Sequence, residues 1–126
     1  MVYAKHEISI SRADNAAFKG TGRRAQLIYR DLGVREATGG RYDARVLRTG
    51  AGEHKIPRHV HKLDFQMVYV LKGWVRIRFE GSGEVTLNEG DCCVTPGGVA
   101  HEVQDWSDDH EVLEIRQVIP LGFRES

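Results

Sequence analysis

The sequence lacks an excess of charge of either sign, since 18 lysines and arginines balance 18 aspartates and glutamates among 126 residues. Proteins that bind nucleic acid neutralise phosphates with clustered positive charge, so no nucleic-acid partner is expected. Long apolar runs are missing too: the longest, Met67 to Leu71, is far too short to span a bilayer. Charge at Lys5 and His6 interrupts the N-terminus before any signal-like segment can form. We therefore expect a soluble cytoplasmic protein without a membrane partner.

Cysteine is scarce, and the two copies, Cys92 and Cys93, are adjacent. Neighbouring side chains on an extended strand point to opposite faces, which prevents an easy bridge between them. Two reduced thiols, one or both packed as small hydrophobic side chains, are therefore expected. Reduced thiols also fit a reducing compartment.

Glycine-based turn signals, in contrast, recur at short intervals along the chain. Between them lie short segments rich in β-branched and aromatic residues, a pattern typical of an all-β sandwich or barrel. The predicted strands are 25–30, 41–48, 55–61, 65–71, 74–80, 84–87, 92–95, 101–104 and 111–119. One short helix is predicted over Arg12 to Lys19, with Ser11 as its cap. The length suits a single domain over 1–126, in which 1–24 form an N-terminal strand or short helix segment.

Two of these strands differ in the pattern of their side chains. Val75, Ile77 and Phe79 alternate with polar or larger neighbours, which predicts a strand with one buried face. Residues 67–71 are apolar at every position, so that strand should be covered on both faces. A homodimer is the simplest way to cover it and is the expected assembly, although a central strand of a two-layer sandwich would show the same pattern.

The most informative stretch is His59-Val60-His61, because residues two apart on a strand share a face and two imidazoles there can bind one metal ion. Taken alone, the pair is equally compatible with solvated or hydrogen-bonded histidines. Additional support comes from Gln66, five residues after His61, and from Gly73, seven residues after Gln66.

A second spaced set follows, formed by Gly90, Pro96, Gly98 and His101. Together the two sets resemble the motifs of the cupin superfamily, the metal-binding jelly-roll barrels. In the first motif Gln66 stands where a glutamate is usual, and in the second Asp105 stands where an asparagine is usual. The first motif also lacks its leading glycine, since Glu53 occupies that position and Gly52 lies one residue away. The similarity covers residues 52–105.

The resemblance implies an all-β, double-stranded β-helix (jelly-roll) barrel. It also implies a metal site formed by His59, His61, Gln66 and His101. Four neutral ligands would leave a divalent ion its full charge and make it a stronger Lewis acid. Without a carboxylate ligand the site should suit Fe²⁺, Zn²⁺ or Ni²⁺, which bind imidazole well, better than the harder Mn²⁺. Alternatively, the Gln66 amide could hydrogen-bond a water or substrate without touching the metal.

Several other polar residues are candidates for the site. Asp64 precedes Gln66 by two residues and is the candidate catalytic base, the alternative being an aspartate that faces water. Arg58, Arg76 and Arg78 could bind a substrate carboxylate, although exposed strand arginines are common. His54 is expected at the surface or the barrel mouth. His6 and His110 are expected to be solvated.

Two classes of function fit these features. The first is a metal-dependent enzyme for a small anionic or chelating substrate, either an iron dioxygenase or a Lewis-acid isomerase, cyclase or lyase. The second is a non-catalytic barrel that binds a small ligand or holds metal structurally. No serine or cysteine nucleophile is placed beside a base, which disfavours covalent catalysis. One fold hosts many chemistries, so the choice depends on the site.

Overall fold

The computed structural model describes residues 7–15, 17–21, 24–61 and 63–120, and within these it omits the side chains of 15, 21, 24–25, 63–64 and 118–120. The described residues form ten strands and two short helical segments. The strands are β1 (Lys19–Thr21), β2 (Arg24–Asp31), β3 (Tyr42–Thr49), β4 (Ile56–His59), β5 (Leu63–Lys72), β6 (Trp74–Phe79), β7 (Gly83–Asn88), β8 (Cys92–Pro96), β9 (His101–Trp106) and β10 (Glu111–Pro120). The helical segments are a 3₁₀ turn over Ala13–Asn15 and a single α-helical turn, α1, over Val34–Ala37.

The strands form two antiparallel sheets. The first has six strands in the order β1-β2-β3-β10-β5-β8, and the second has four in the order β4-β9-β6-β7. The last strand, β10, is inserted between β3 and β5, so it closes the larger sheet. The predicted all-β jelly-roll barrel is therefore confirmed.

The core lies between the two sheets and takes side chains from both. Leu47 and Val112 from the larger sheet and Ile77 and Trp106 from the smaller one belong to the same buried cluster. Val70 of β5 is fully buried within it. Burying a side chain of this size contributes about 1.5–3 kcal/mol to stability, so this cluster holds the sheets together.

All nine predicted strands are present, and their ends differ from the prediction by no more than two residues. The predicted helix over Arg12 to Lys19 is wrong, because among its described residues only Ala13–Asn15 are helical and Lys19 begins β1. So short a segment has too few hydrogen bonds to be stable as a helix without tertiary support. Instead, β1 pairs with the edge of β2, placing Lys19 opposite Tyr29. Among the described residues no helix is long and apolar enough to cross a membrane.

The predictions for the side-chain patterns of β6 and β5 have different outcomes. The alternation in β6 is confirmed, since Val75 and Ile77 are buried while Arg78 is exposed. In β5, by contrast, Val70 faces the core and Tyr69 remains 39% exposed on the outer face of the larger sheet. No segment of the described chain therefore covers this outer face completely.

Gly73 connects β5 to β6 and shows why the first motif needs a glycine there. Its φ of 69° is unfavourable for residues with a side chain. A Cβ at this position would collide with Ser107 Oγ and lie 2.6 Å from Asp109 Oδ1. The glycine thus lets the β5–β6 turn pack against the β9–β10 turn.

Candidate metal centre

Three predicted residues, His59, His61 and His101, converge at one end of the barrel. Antiparallel pairing of β4 with β9 places His59 directly opposite His101, and His61 follows two residues after His59. One ring nitrogen from each lies within 4.8 Å of the other two. His59 Nε2 and His61 Nε2 are 3.1 Å apart. The three rings therefore form a cluster that can hold a metal ion.

Hydrogen bonds to the backbone fix the orientation of two of the rings. His59 Nδ1 lies 2.8 Å from the Pro57 carbonyl oxygen, and His101 Nδ1 lies 3.1 Å from the Val99 carbonyl oxygen. A carbonyl can only accept, so in each ring Nδ1 carries the proton and donates it. The lone pairs are then on the Nε2 atoms, the tautomer that a metal requires.

Burial favours the neutral form of two of these imidazoles, His61 and His101. It lowers the pKa of His61 to about 4, and the neighbouring His59 and His101 lower it further by charge repulsion. Burial likewise lowers the pKa of His101, against the opposing effect of its hydrogen bond to Val99. Neutral rings keep the lone pairs that bind metal free of protons.

The spacing of the nitrogens fits a metal ion. Zinc–nitrogen bonds are about 2.0–2.1 Å, so two nitrogens bound to one ion at angles between 90° and 109° lie roughly 2.9–3.4 Å apart. The 3.1 Å separation of His59 Nε2 and His61 Nε2 falls within this range. Without an ion, His61 Nε2–H can donate to His59 Nε2 across the same distance, a contact that a bound ion would replace.

Gln66 lies on β5 in the wall of the same cavity and is only 9% exposed. Its Nε2 donates a 3.0 Å hydrogen bond to Glu114 Oε2. A carboxylate cannot donate in return, so this contact determines which end of the amide faces Glu114. The other end, Gln66 Oε1, is buried and has no hydrogen-bond partner within the described part of the chain. A buried acceptor without a partner is costly, which points to a ligand at this position.

Glu114 is held by arginines of the larger sheet. It is 6% exposed and accepts a 2.8 Å hydrogen bond at Oε1 from Arg45 Nε. Arg116 Nε lies 3.9 Å from the same oxygen, and its Nη2 forms a 2.8 Å ion pair with Asp43. The two carboxylates and two arginines of this network are balanced in charge.

The cluster opens into a cavity of about 150 Å³ inside the barrel. Apolar side chains from both sheets form most of its wall, among them Leu47, Val68, Val75 and Ile77. Arg45 and Glu114 also line it. The cavity is therefore an apolar chamber with the polar groups of the histidine cluster in its wall.

The structure brings together four of the five predicted site residues: His59, His61, Gln66 and His101 all line this cavity. The fifth, Asp64, belongs to β5, but its side chain lies outside the described residues. Its role as the base therefore stays a prediction.

The arginines singled out in the sequence lie elsewhere. Arg58 pairs with Glu80 at 2.9 Å in a mostly exposed ion pair, and Arg76 lies 3.7 Å from Glu84. Neither they nor Arg78 line the cavity.

The remaining histidines divide between the two expectations. His54 is outside the cluster, with Nδ1 2.6 Å from the Trp106 carbonyl oxygen and a ring that stacks on Trp106. The expectation that His110 is solvated is wrong, because it is only 4% exposed and its ring stacks on Trp106. His6 lies outside the described residues. The position of His110 in a turn after β9 gave no sign of this burial.

Cys92 and Cys93 are both free thiols, as expected, and burial raises the pKa of Cys93.

Sequence analysis missed Arg45 and Glu114. Both are charged residues on strands, a type that is usually solvated. Their positions on β3 and β10 are directly paired, and only knowledge of that register shows that they face each other.

The fold and the cluster together define a jelly-roll barrel with three histidines that could hold a metal ion. The family model for the Cupin domain matches residues 45–115, more than half of the chain. The chain therefore belongs to the cupin family.

Solved structures with the same fold are distant in sequence. KdgF from Halomonas sp. is 19% identical, with a TM-score of 0.72 over 88% of this chain and 95% of that one. The polyketide cyclase RemF from Streptomyces resistomycificus is 12% identical, with a TM-score of 0.71 over 95% and 89% of the two chains. Iron(II) HppE is 13% identical, with a TM-score of 0.66 over 86% and 60%. No curated protein matches the sequence significantly.

Proposed function

We propose that this chain is a metal-dependent enzyme acting on a small anionic or chelating organic substrate, with His59, His61, His101 and Gln66 as the metal ligands. The observation that carries the proposal is the convergence of three imidazoles with an unpartnered amide oxygen on one cavity. Three or four protein ligands leave open positions on a transition metal, which a catalytic site requires.

The contact between Gln66 and Glu114 supports ligation by Gln66. Because Nε2 is bound to Glu114, the only free atom of the amide is the oxygen, which is the atom that can bind a cation. Glu114 acts as a positioning residue in this proposal, since it orients Gln66 and is itself held by Arg45. Outer partners of this kind fix the orientation of metal ligands in many sites.

The ligand set favours some metals over others. Three of the four proposed ligands are imidazoles, which suit Fe²⁺, Zn²⁺ or Ni²⁺ better than Mn²⁺, an ion that prefers carboxylate oxygen. All four ligands are neutral, and the nearby charge of Glu114 is balanced by Arg45. A divalent ion there would keep its full charge and attract an anionic substrate.

The chemistry that such an ion supplies is Lewis acidity and, for iron, reaction with O₂. The chain itself provides a chamber whose apolar walls exclude water and strengthen polar contacts at the cluster. Asp64 is the proposed base on the strength of its place two residues before Gln66. Two reaction classes follow: dioxygenation with iron, and isomerisation, cyclisation or lyase chemistry with zinc or nickel. The similar structures of iron(II) HppE and the cyclase RemF show that this fold accommodates both iron and cyclase chemistry.

A non-catalytic barrel that binds a small ligand is the alternative. It shares the cavity and the cluster but requires no open position on the metal. An enzyme should bind small chelating anions through the metal, whereas a structural metal with its coordination completed by protein should not.

The test is elemental analysis of protein purified without chelators or a polyhistidine tag, in the wild type and in matched variants. We expect about one transition metal per chain in the wild type and its loss in His59→Ala and His101→Ala. Gln66→Ala should retain part of the metal. His54→Ala is the control, because His54 lies outside the cluster, and it should retain all of it. Wild-type metal content in both His59→Ala and His101→Ala would contradict the site.

We also propose that two copies of the chain pair through the outer face of the six-stranded sheet. Apolar residues of β5 and β8 lie there side by side, with Met67 opposite Val94 and Tyr69 opposite Cys92. Val94 is 53% exposed and Tyr69 is 39% exposed. Leu113 of β10, opposite Tyr69, extends the apolar surface. Contiguous apolar surface of this kind marks interaction sites, and a second copy would cover the same strands on each chain.

A further inference from the structure

A second group of unpartnered polar atoms lies in the cavity, away from the histidine cluster. Both ring nitrogens of His110 and the indole Nε1 of Trp106 are buried, and none has a hydrogen-bond partner among the described residues. His110 is 4% exposed and Trp106 is 2% exposed, so bulk water cannot satisfy them. Buried donors and acceptors are almost always paired in folded proteins.

These two residues line the same cavity as the metal site but at a different place. His101 is the first residue of β9 and Trp106 is the last, which separates them by roughly 15 Å along the strand. His110 follows in the turn between β9 and β10. The cavity thus has polar groups near both ends of β9 and apolar walls between them.

The two rings are held in place by stacking. Trp106 stacks with His54 and with His110, with ring centroids 5.2 Å and 5.8 Å away and interplanar angles of 7° and 29°. His110 lines the cavity, whereas His54 does not. Gly73 lets the backbone of His110 approach closely, because His110 Cα lies 3.2 Å from where a Cβ at residue 73 would be. The polar atoms therefore keep fixed positions.

The chemistry of these atoms limits what can bind them. Burial lowers the pKa of His110 to about 4, with a further contribution from repulsion by His54, so the ring is neutral at pH 7. A neutral imidazole offers one donor and one acceptor, and the indole offers one donor. A hydroxyl group matches this set because it both accepts and donates. An anion would lose its hydration without meeting a positive charge, and the nearby Asp109 would repel it.

The body of the ligand follows from the cavity. Its volume of about 150 Å³ matches that of an apolar cavity that binds a benzene-sized ring. One water molecule occupies only about 30 Å³, so a single water would leave most of the space empty. Apolar side chains such as Leu47, Val75 and Val112 line the space next to Trp106.

We propose that His110 and Trp106 form a hydroxyl-binding subsite that receives a phenol-type ring, with the hydroxyl oxygen hydrogen-bonded to the two residues. The subsite does not depend on the metal, since neither residue belongs to the histidine cluster. It defines a ligand class, hydroxylated aromatic rings, for the Trp106 end of the cavity.

The test compares phenol with toluene, which has nearly the same shape but no hydroxyl. Their affinities are measured by calorimetry or ligand-observed NMR on the protein as purified and again after treatment with a chelator. A site with buried polar partners discriminates against an analogue that cannot pair with them, so phenol should bind about tenfold more tightly. The preference for phenol should persist after chelation, because His110 and Trp106 are not metal ligands. A preference that came from the hydroxyl binding the metal would be lost.

Matched substitutions of the two histidines that stack on Trp106 distinguish the loss of the polar atoms from a general change in packing. His110→Phe keeps an aromatic ring against Trp106 and removes the polar atoms, so the preference for phenol should fall to about twofold or less. His54→Phe makes the same change at the other histidine that stacks on Trp106, which does not line the cavity, and should keep the tenfold preference. Equal affinities for phenol and toluene in the wild type, or an unchanged preference in His110→Phe, would overturn the proposal.

A measurement on the wild type covers the case in which His110→Phe does not fold. Phenol should shift the ¹⁵N resonances of the His110 ring, and toluene should not. A crystal structure with phenol should place its oxygen within hydrogen-bond distance of His110. Ordered water at His110 that phenol does not displace would show that the polar atoms are satisfied by solvent only, and the proposal would be wrong.

Discussion

Replacing Gln66 by glutamate restores the residue usual in the first cupin motif, and the structure indicates that it should destabilise the metal-free protein. Gln66 Nε2 now donates to Glu114 Oε2 at 3.0 Å. In Gln66→Glu this donor is lost and two buried carboxyl groups face each other. Two unit charges at that distance repel by about 5 kcal/mol at an effective dielectric constant of 20.

Protonation offers the variant a less costly state. A glutamate with an ordinary pKa of about 4.3 requires roughly 3.7 kcal/mol to hold a proton at pH 7 and about 1 kcal/mol at pH 5. The native pair would share one proton that the unfolded chain releases above pH 4.3, so stability should fall as pH rises. We therefore expect a loss of about 3.7 kcal/mol at pH 7 and about 1 kcal/mol at pH 5, relative to the wild type at each pH.

The assay is urea denaturation of the metal-free protein at both pH values. Gln104→Glu is the matched control, because Gln104 Nε2 also donates to a glutamate, Glu102, at 3.5 Å, but both residues are only half-buried. Its cost should stay below about 1 kcal/mol and change little with pH, since solvent screens such pairs. If Gln66→Glu is as stable as the control at pH 7, the contact between Gln66 and Glu114 is not made as described.

Two further predictions concern regions outside the histidine cluster. Because burial lowers the pKa of His110 to about 4, the unfolded chain binds a proton below pH 6.5 that the native protein excludes. Stability should therefore fall by up to about 3 kcal/mol between pH 6.5 and pH 4, and His110→Phe should lose this component in denaturation curves. If the wild type and His110→Phe show the same pH dependence, the burial of His110 is not its cause. On the outer face of the larger sheet, Tyr69→Lys should convert a dimer to a monomer in sedimentation experiments. Val85→Lys should not, although Val85 on the smaller sheet is also 39% exposed. A monomeric wild type, or equal effects of both lysines, would rule out pairing through this face.

The strands and the histidine cluster were predictable because short-range features specify them. Turn glycines and period-two alternation mark the strands, and fixed spacing marks His59, His61 and His101 as partners. The short helix was wrong because hydrogen bonding to β2, a tertiary contact, decides the conformation near Lys19. Nothing local in the sequence records that pairing.

The strand β10 shows why part of the site could not be predicted. Leu113 and Ile115 alternate with Glu114 and Arg116, so periodicity alone favours burial of the two apolar residues. The structure has the opposite arrangement, with Glu114 buried and Leu113 half-buried on the outer face. A buried carboxylate is stable only with partners, and those partners, Arg45 and Gln66, come from other strands.

The burial of Glu114 on β10 also accounts for the glutamine in the first motif. Glu114 already places one carboxylate beside the cavity, where Arg45 neutralises it, and Arg116 is paired with Asp43 in the same way. A second carboxylate at position 66 would have no cation left in this network to balance it. With an amide there, the two carboxylates and two arginines of this network sum to zero charge, so the network would leave both positive charges of a divalent ion uncompensated. An anionic, chelating substrate is the species that neutralises them, and for this reason we expect substrate and metal to bind with positive cooperativity.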